Sequence, residues 1–190
     1  MPIGPGAGSL PVMANRQLDR VLTPEYLQGL VEWPIDAIRS RRAECQRLED
    51  AASYLRRLVQ TRIDIIGLEL RSRADGDEGD LVSLIEKLPS ILSEQTDRRG
   101  AVGRLVSVDP GDDQEAWAEA RVELACGRCD VESAPELSEA ELNTMADNLA
   151  ALERTVSEER RRLHDILDLL QNELVHRYKT GQATVEGLLK

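Results

Sequence analysis

The sequence predicts an all-α protein, an antiparallel coiled-coil helical hairpin with short additional helices, and three observations carry that expectation. The apolar residues are aliphatic: within 41% hydrophobic composition there is no Phe, with two Trp and three Tyr. Such a composition suits long helices joined by Leu, Ile, Val and Ala seams better than a thick sheet core. Two long segments lack Pro altogether and place apolar residues at steps of three and four. They are matched in length, and the connector between them is long enough to return, so facing stripes can be buried in an antiparallel pair. Parallel pairing in a homodimer is the alternative that the pattern leaves open.

Taken in order, residues 1–22 read as a flexible N-terminal tail. Its start, Met1 to Asn15, is Gly- and Pro-rich and has no basic region leading into an apolar core, so it is not a signal peptide. Thr23-Pro24-Glu25 has the form of a helix start, Thr as cap and Pro at the first position, opening a short helix to about Val31. Pro34 ends that helix. From Ile35 to about Arg73 only Gly67 interrupts a regular pattern of Leu48, Ala52, Leu55, Val59, Ile63, Ile66 and Leu70. This makes 23–73 a short helix followed by a long one of roughly 40 residues, or about 60 Å. Asp75-Gly76-Asp77-Glu78-Gly79-Asp80 stops it with two glycines and a burst of like charge.

Residues 74–137 read as an acidic connector with some helix. It contains an apolar stretch from Leu81 to Leu92 broken by Pro89, a polar loop from Gly100 to Asp113, and an amphipathic piece from Trp117 to Ala125. Ser138 and Glu141 then form a capping box. They open a second long helix over 138–180, with Leu142, Met145, Leu149, Leu152, Val156, Leu163, Ile166, Leu170 and Leu174 on its apolar stripe. Gly181 follows its end, and 181–190 form a C-terminal tail.

The net charge of −11 is unevenly spread. Residues 1–73 carry 11 basic and 9 acidic side chains, residues 74–147 carry 6 and 19, and residues 148–190 carry 7 and 7. An acidic middle repels a nucleic-acid backbone, so no direct nucleic-acid partner is expected. It suits a basic protein partner, or a solvated linker. No stretch approaches the roughly 18 apolar residues of a membrane span, and the expected location is the cytoplasm. Three cysteines, Cys45, Cys126 and Cys129, argue against a disulfide framework there. Cys126 and Cys129 have half of a zinc-ribbon spacing, but no second pair supplies four ligands, and no metal is expected.

The chemistry-bearing feature is a repeat. The first long helix carries Glu49, Ser53, Arg56, Gln60 and Asp64, and the second carries Glu153, Ser157, Arg160, His164 and Asp168. Steps of 4, 3, 4 and 4 recur in both, and four of the five residue types are identical. At about 100° per residue the five side chains share an arc of roughly 80°, a polar and exposed stripe about 22 Å long. Leu48 and Leu152, Arg57 and Arg161, Glu69 and Glu173, and Leu70 and Leu174 coincide in the same register. Glu and Arg at helical spacing are commonplace on a solvated face. A Ser held between them at identical offsets in both copies is not. Such a stripe suits a nucleotide: Arg offers a fork for a purine edge and charge for phosphate, and Asp64 or Asp168 can accept from guanine N1–H and its amino group. Two copies on antiparallel helices are related by an approximate two-fold axis, which fits a ligand with two equivalent halves.

The pattern E-x3-S-x2-R-x3-Q-x3-D resembles the cyclic-di-GMP-binding motif of the RsiG family, actinobacterial anti-sigma factors of the sporulation sigma factor WhiG. The first copy matches throughout, and the second has His164 in place of Gln. The two long helices carry this resemblance. It implies a coiled coil that binds a dimer of cyclic-di-GMP through Glu49, Ser53, Arg56, Gln60, Asp64, Glu153, Ser157, Arg160, His164 and Asp168. It also implies that the loaded protein sequesters a WhiG-type sigma factor.

An enzyme is not expected. Ser157, His164 and Asp168 share a face, but Ser157 and His164 are separated by about 10.5 Å of helix rise, beyond the reach of proton transfer. There is no phosphate-binding glycine loop, HExxH or GxSxG. His176 reads as a favourable residue near a helix C-terminus. The alternative to the ligand-gated regulator is a structural coiled-coil scaffold with no nucleotide ligand, its polar stripes only solvated faces.

Overall fold

The computed structural model describes residues 10–74, 112–127 and 131–181. These are all-α: α1 (Leu10–Val21), two 3-10 turns (Pro24–Leu27 and Leu30–Glu32), α2 (Ile35–Ala74), α3 (Asp112–Cys126), a third 3-10 segment (Val131–Glu136) and α4 (Glu139–Lys179). The sequence-derived expectations for Leu81 to Leu92, for most of the loop after Gly100, for Cys129 and for the tail beyond Gly181 lie outside the described residues.

The long pair α2 and α4 forms an antiparallel helical hairpin, with ends within one residue of the expected ones. Local chemistry explains α4 at both ends. Ser138 Oγ and the Ser138 amide both donate to Glu141 Oε2, at 2.6 and 2.8 Å, and the Glu141 amide donates back to Ser138 Oγ at 3.3 Å. This is the reciprocal capping box read from the sequence. At the other end Gly181 takes a left-handed φ of 72°, and the Thr180 amide closes on the His176 carbonyl at 3.0 Å.

The chain divides into two compact units, and α2 and α4 supply segments to both. The first comprises Met1–Arg57, Pro110–Arg121 and Glu153–Lys190. Its core joins Ile38, Leu55, Val156, Leu163 and Leu170, all fully buried, with Leu18 and Val21 of α1 and Trp117 and Ala118 of α3. Burying each large aliphatic side chain contributes about 1.5–3 kcal/mol. The second comprises Leu58–Asp109 and Val122–Leu152, with Val59, Ile66, Val122, Leu142 and Leu149 in its core. The apolar stripes read from periodicity are therefore the buried ones, except that Ile63, Leu70, Met145 and Ile166 are half-buried at the seam margins.

Three expectations are corrected. Residues 1–22 are not all tail, because Leu10–Val21 is helical. Leu18 and Val21, three residues apart, pack into the core, and Trp117 Nε1 donates to Asn15 Oδ1 at 3.0 Å. Pro11 falls in the first turn, where its missing N–H costs nothing. The short helix after Thr23 is instead two 3-10 turns separated by Gly29, whose φ of 73° no β-carbon-bearing residue adopts readily. Thr23 does not cap the first of them by its side chain: its hydroxyl donates back to the Arg20 carbonyl at 2.9 Å, closing α1.

Candidate functional site

The first unit brings together most of the repeated signature. Within each helix, Ser donates to the Glu one turn before it: Ser53 Oγ to Glu49 Oε1 at 2.7 Å, and Ser157 Oγ to Glu153 Oε1 at 2.9 Å. Between helices the copies cross. Arg56 Nε donates to Glu153 Oε1 and to Ser157 Oγ, both at 3.0 Å, while Arg160 Nε donates to Glu49 Oε1 at 3.1 Å. Each arginine is thus held by the carboxylate of the other copy. The arrangement has the approximate two-fold symmetry that antiparallel helices carrying the same signature impose.

The stripe is consequently not an exposed one. Glu49 is 7% exposed, and Ser53, Arg56, Glu153, Ser157 and Arg160 are half-buried. The signature begins one residue after Leu48 and Leu152, at the margin of the apolar seam, so antiparallel pairing draws its first three positions against the neighbouring helix. Their polar groups are tolerated there because each finds a partner. Ion pairs with this much residual exposure contribute about 1 kcal/mol each.

The last positions behave differently. Asp64 and Asp168 are exposed, and His164 is exposed but touches two charged groups. Its Nε2 lies 3.2 Å from Glu49 Oε1 and 3.3 Å from a terminal nitrogen of Arg160. Gln60 is half-buried on α2, and Gln60 and Asp64 belong to the second unit. The Ser157 hydroxyl is committed, donating to Glu153 and accepting from Arg56.

A second duplicated device escaped the sequence reading. Arg177 is 8% exposed; its Nε donates to Glu173 Oε1 at 2.7 Å and its terminal nitrogens to the carbonyls of Leu30 at 3.1 Å, Val31 at 3.0 Å and Trp33. In the second unit, Arg73 donates to Glu69 Oε1 at 2.7 Å and to the carbonyls of Leu137 at 2.6 Å, Ala134 at 3.0 Å and Pro135 at 3.1 Å. Arginine, glutamate and all three carbonyls correspond at the same offset of 104 residues that relates Glu49 to Glu153. The duplicated element is therefore a 3-10 turn plus a long helix. The coincidence of Glu69 with Glu173 was a visible signal, and an Arg four residues after each completes it.

Near the N-terminal turns, Tyr26 donates to Glu44 Oε2 at 2.9 Å and Cys45 Sγ lies 3.6 Å from the Tyr26 hydroxyl. Burial pushes both the phenol and the thiol above their ordinary ranges, keeping both protonated. Arg41 lies over Trp33 at 3.9 Å and Tyr26 at 4.8 Å and donates to the Tyr26 carbonyl at 2.6 Å. These contacts fasten the turns to α2.

Fold and site together define an all-α hairpin with a duplicated polar cluster across an approximate two-fold axis. Among the described residues no helix is long and apolar enough to cross a membrane. A family model described as RsiG-like matches residues 24–92 and 130–190, segments that contain both signatures and both arginine clamps. The chain belongs to the RsiG-like family, a family of anti-sigma factors, which are regulators and bind a sigma factor. No curated protein and no solved structure matches it.

Proposed function

We propose that this protein is a cyclic-di-GMP-dependent anti-sigma factor, which in its nucleotide-loaded form sequesters a sporulation sigma factor of the WhiG type in the cytoplasm. One observation carries the nucleotide half of this reading: the two signatures meet as a symmetric pair, Arg56 with Glu153 and Arg160 with Glu49. A ligand of two equivalent halves is matched by such a pair. Both arginines turn the Nε edge to a carboxylate, which favours presenting the terminal nitrogens to the O6/N7 edge of guanine or to phosphate. The exposed Asp64 and Asp168 suit the guanine N1–H and amino group, a donor pair that adenine lacks. The acidic block over 74–147 favours a basic face on the sigma factor, so association is expected to weaken with salt.

The crossed ion pairs also favour a second reading, because they are the kind of contact that sets the register of a coiled coil without any ligand. Calorimetric titration with cyclic-di-GMP, with cyclic-di-AMP and GTP as controls, separates the two. Saturable binding of cyclic-di-GMP alone is expected, and its absence would leave the scaffold. Capture of the sigma factor at fixed salt should be strong with nucleotide and weak without, since a ligand shifts a hairpin only through its differential affinity for the competent form. Equal capture in both would remove the nucleotide as the switch.

A further inference from the structure

The two signatures differ at one position, and the structure puts a conflict there. His164 stands where the first copy has Gln60, and its Nε2 faces an acceptor and a donor at nearly equal distance: Glu49 Oε1 at 3.2 Å and an Arg160 terminal nitrogen at 3.3 Å. One ring nitrogen cannot serve both. Bare, as in the neutral Nδ1–H tautomer, it accepts from the guanidinium; carrying a proton, as in the other neutral tautomer and always in the imidazolium, it donates to the carboxylate and turns that proton towards a second donor. Glutamine, with separate oxygen and nitrogen, meets no such conflict.

The charges around the ring define what its protonation does. From α2 comes Glu49, whose Oε1 already accepts from Ser53 and Arg160. From α4 come Arg160 one turn before and Asp168 one turn after. The helices α1 and α3 engage the other flank of α4, where Arg162 donates to the Leu22 carbonyl at 2.5 Å and Arg121 forms a bidentate pair with Glu159 at 2.7 and 3.0 Å. The His164 side chain is 53% exposed, so protons reach it from solvent.

We propose that His164 makes the second signature a proton-responsive half-site, so that affinity for an anionic nucleotide is set by pH through this residue. The inference rests on the nucleotide-binding reading above. Uncharged, in the tautomer that leaves Nε2 bare, the imidazole accepts from a terminal nitrogen of Arg160 and competes with a ligand for it. Charged, it can no longer accept from Arg160, donates to Glu49 and adds a positive charge for the phosphates to meet. Both effects favour the anion. Binding then takes up a proton, so affinity rises as pH falls through the imidazole range and is lost as pH rises through it.

The test is calorimetry with cyclic-di-GMP on the full chain and on His164→Gln, at about pH 6 and about pH 8, which bracket imidazole titration. Buffers of differing ionisation enthalpy report proton uptake. The parent should bind on the order of five- to tenfold more tightly in acid, the effect of one added charge at short range in a half-solvated site, with proton uptake. His164→Gln should show a flat profile and no uptake. A pH slope that survives in His164→Gln overturns the proposal while leaving nucleotide binding in place; no saturable binding by the parent at either pH overturns both. Should His164→Gln bind at neither pH, the imidazole 15N resonances of the parent decide. Gain of a proton on adding nucleotide sustains the proposal, and unchanged resonances refute it.

Discussion

Replacing Arg177 by Ala removes a guanidinium that holds four acceptors at once: the Glu173 carboxylate and the carbonyls of Leu30, Val31 and Trp33. The Arg177 and Glu173 side chains are 9% and 14% exposed, so water cannot fully replace what is lost. A buried acceptor left unpaired costs about 1–3 kcal/mol, and breaking a buried ion pair about 3–5 kcal/mol. These overlap, so a total of about 3–5 kcal/mol is expected, against a whole-domain stability of about 5–15 kcal/mol. For a chain of this size that lowers the melting temperature by roughly 6–20 °C. The equivalent Arg73 binds a matching set; its own side chain is 29% exposed but the Glu69 it would strand is only 7% exposed, so Arg73→Ala should cost a comparable amount. Arg177→Lys keeps the charge without the planar fork and should fall between parent and Arg177→Ala. Thermal and urea unfolding followed by far-UV circular dichroism measure all three. A loss below about 1 kcal/mol for either alanine variant would refute the clamp argument.

Arg160→Ala leaves Glu49, which is 7% exposed, with the Ser53 hydroxyl and the His164 contact but no arginine, and should cost about 1–3 kcal/mol, more than Arg56→Ala, whose partner Glu153 is more open; urea unfolding ranks them. Asp64→Ala and Asp168→Ala, both at exposed positions, should change stability by no more than about 0.5 kcal/mol yet weaken cyclic-di-GMP binding by calorimetry, separating the ligand role from folding in a way the arginine variants cannot. Unchanged affinity in both would exclude them from the site. The Ser138 hydroxyl and amide hold the Glu141 carboxyl below the usual range, so its stabilisation is present above the unfolded-state pKa and disappears as pH falls through the folded-state one. Ser138→Ala should destabilise at neutral pH and approach the parent in acid. An NMR titration in which Glu141 behaves alike in both proteins would contradict this.

Much of the hairpin was legible because it is written locally. The run from Ile35 to Ala74 contains no Pro and one Gly, and its seam repeats at three and four, which is a property of one helix alone. The capping box at Ser138 and Glu141 is likewise a contact within four residues. α1 was missed because the Gly and Pro residues at the start of the chain masked a helix whose support is tertiary: the burial of Leu18 and Val21 and the bond from Trp117 to Asn15. The same holds for the 3-10 turns, whose carbonyls are satisfied by Arg177 from more than 140 residues away.

The candidate site divides along the same line. By itself the sequence determined which five positions share a helix face and that the set occurs twice, because a rise of about 1.5 Å and a turn of about 100° per residue convert spacing into position. Only the tertiary structure decided that Arg56 pairs with Glu153 and Arg160 with Glu49, that Glu49 is buried while Asp64 and Asp168 are exposed, and that His164 lies between opposite charges. The physical reason is register. Spacing within a helix says nothing of how far one helix is slid along another; that offset is set by which aliphatic seams bury each other, and it alone determines which charge meets which.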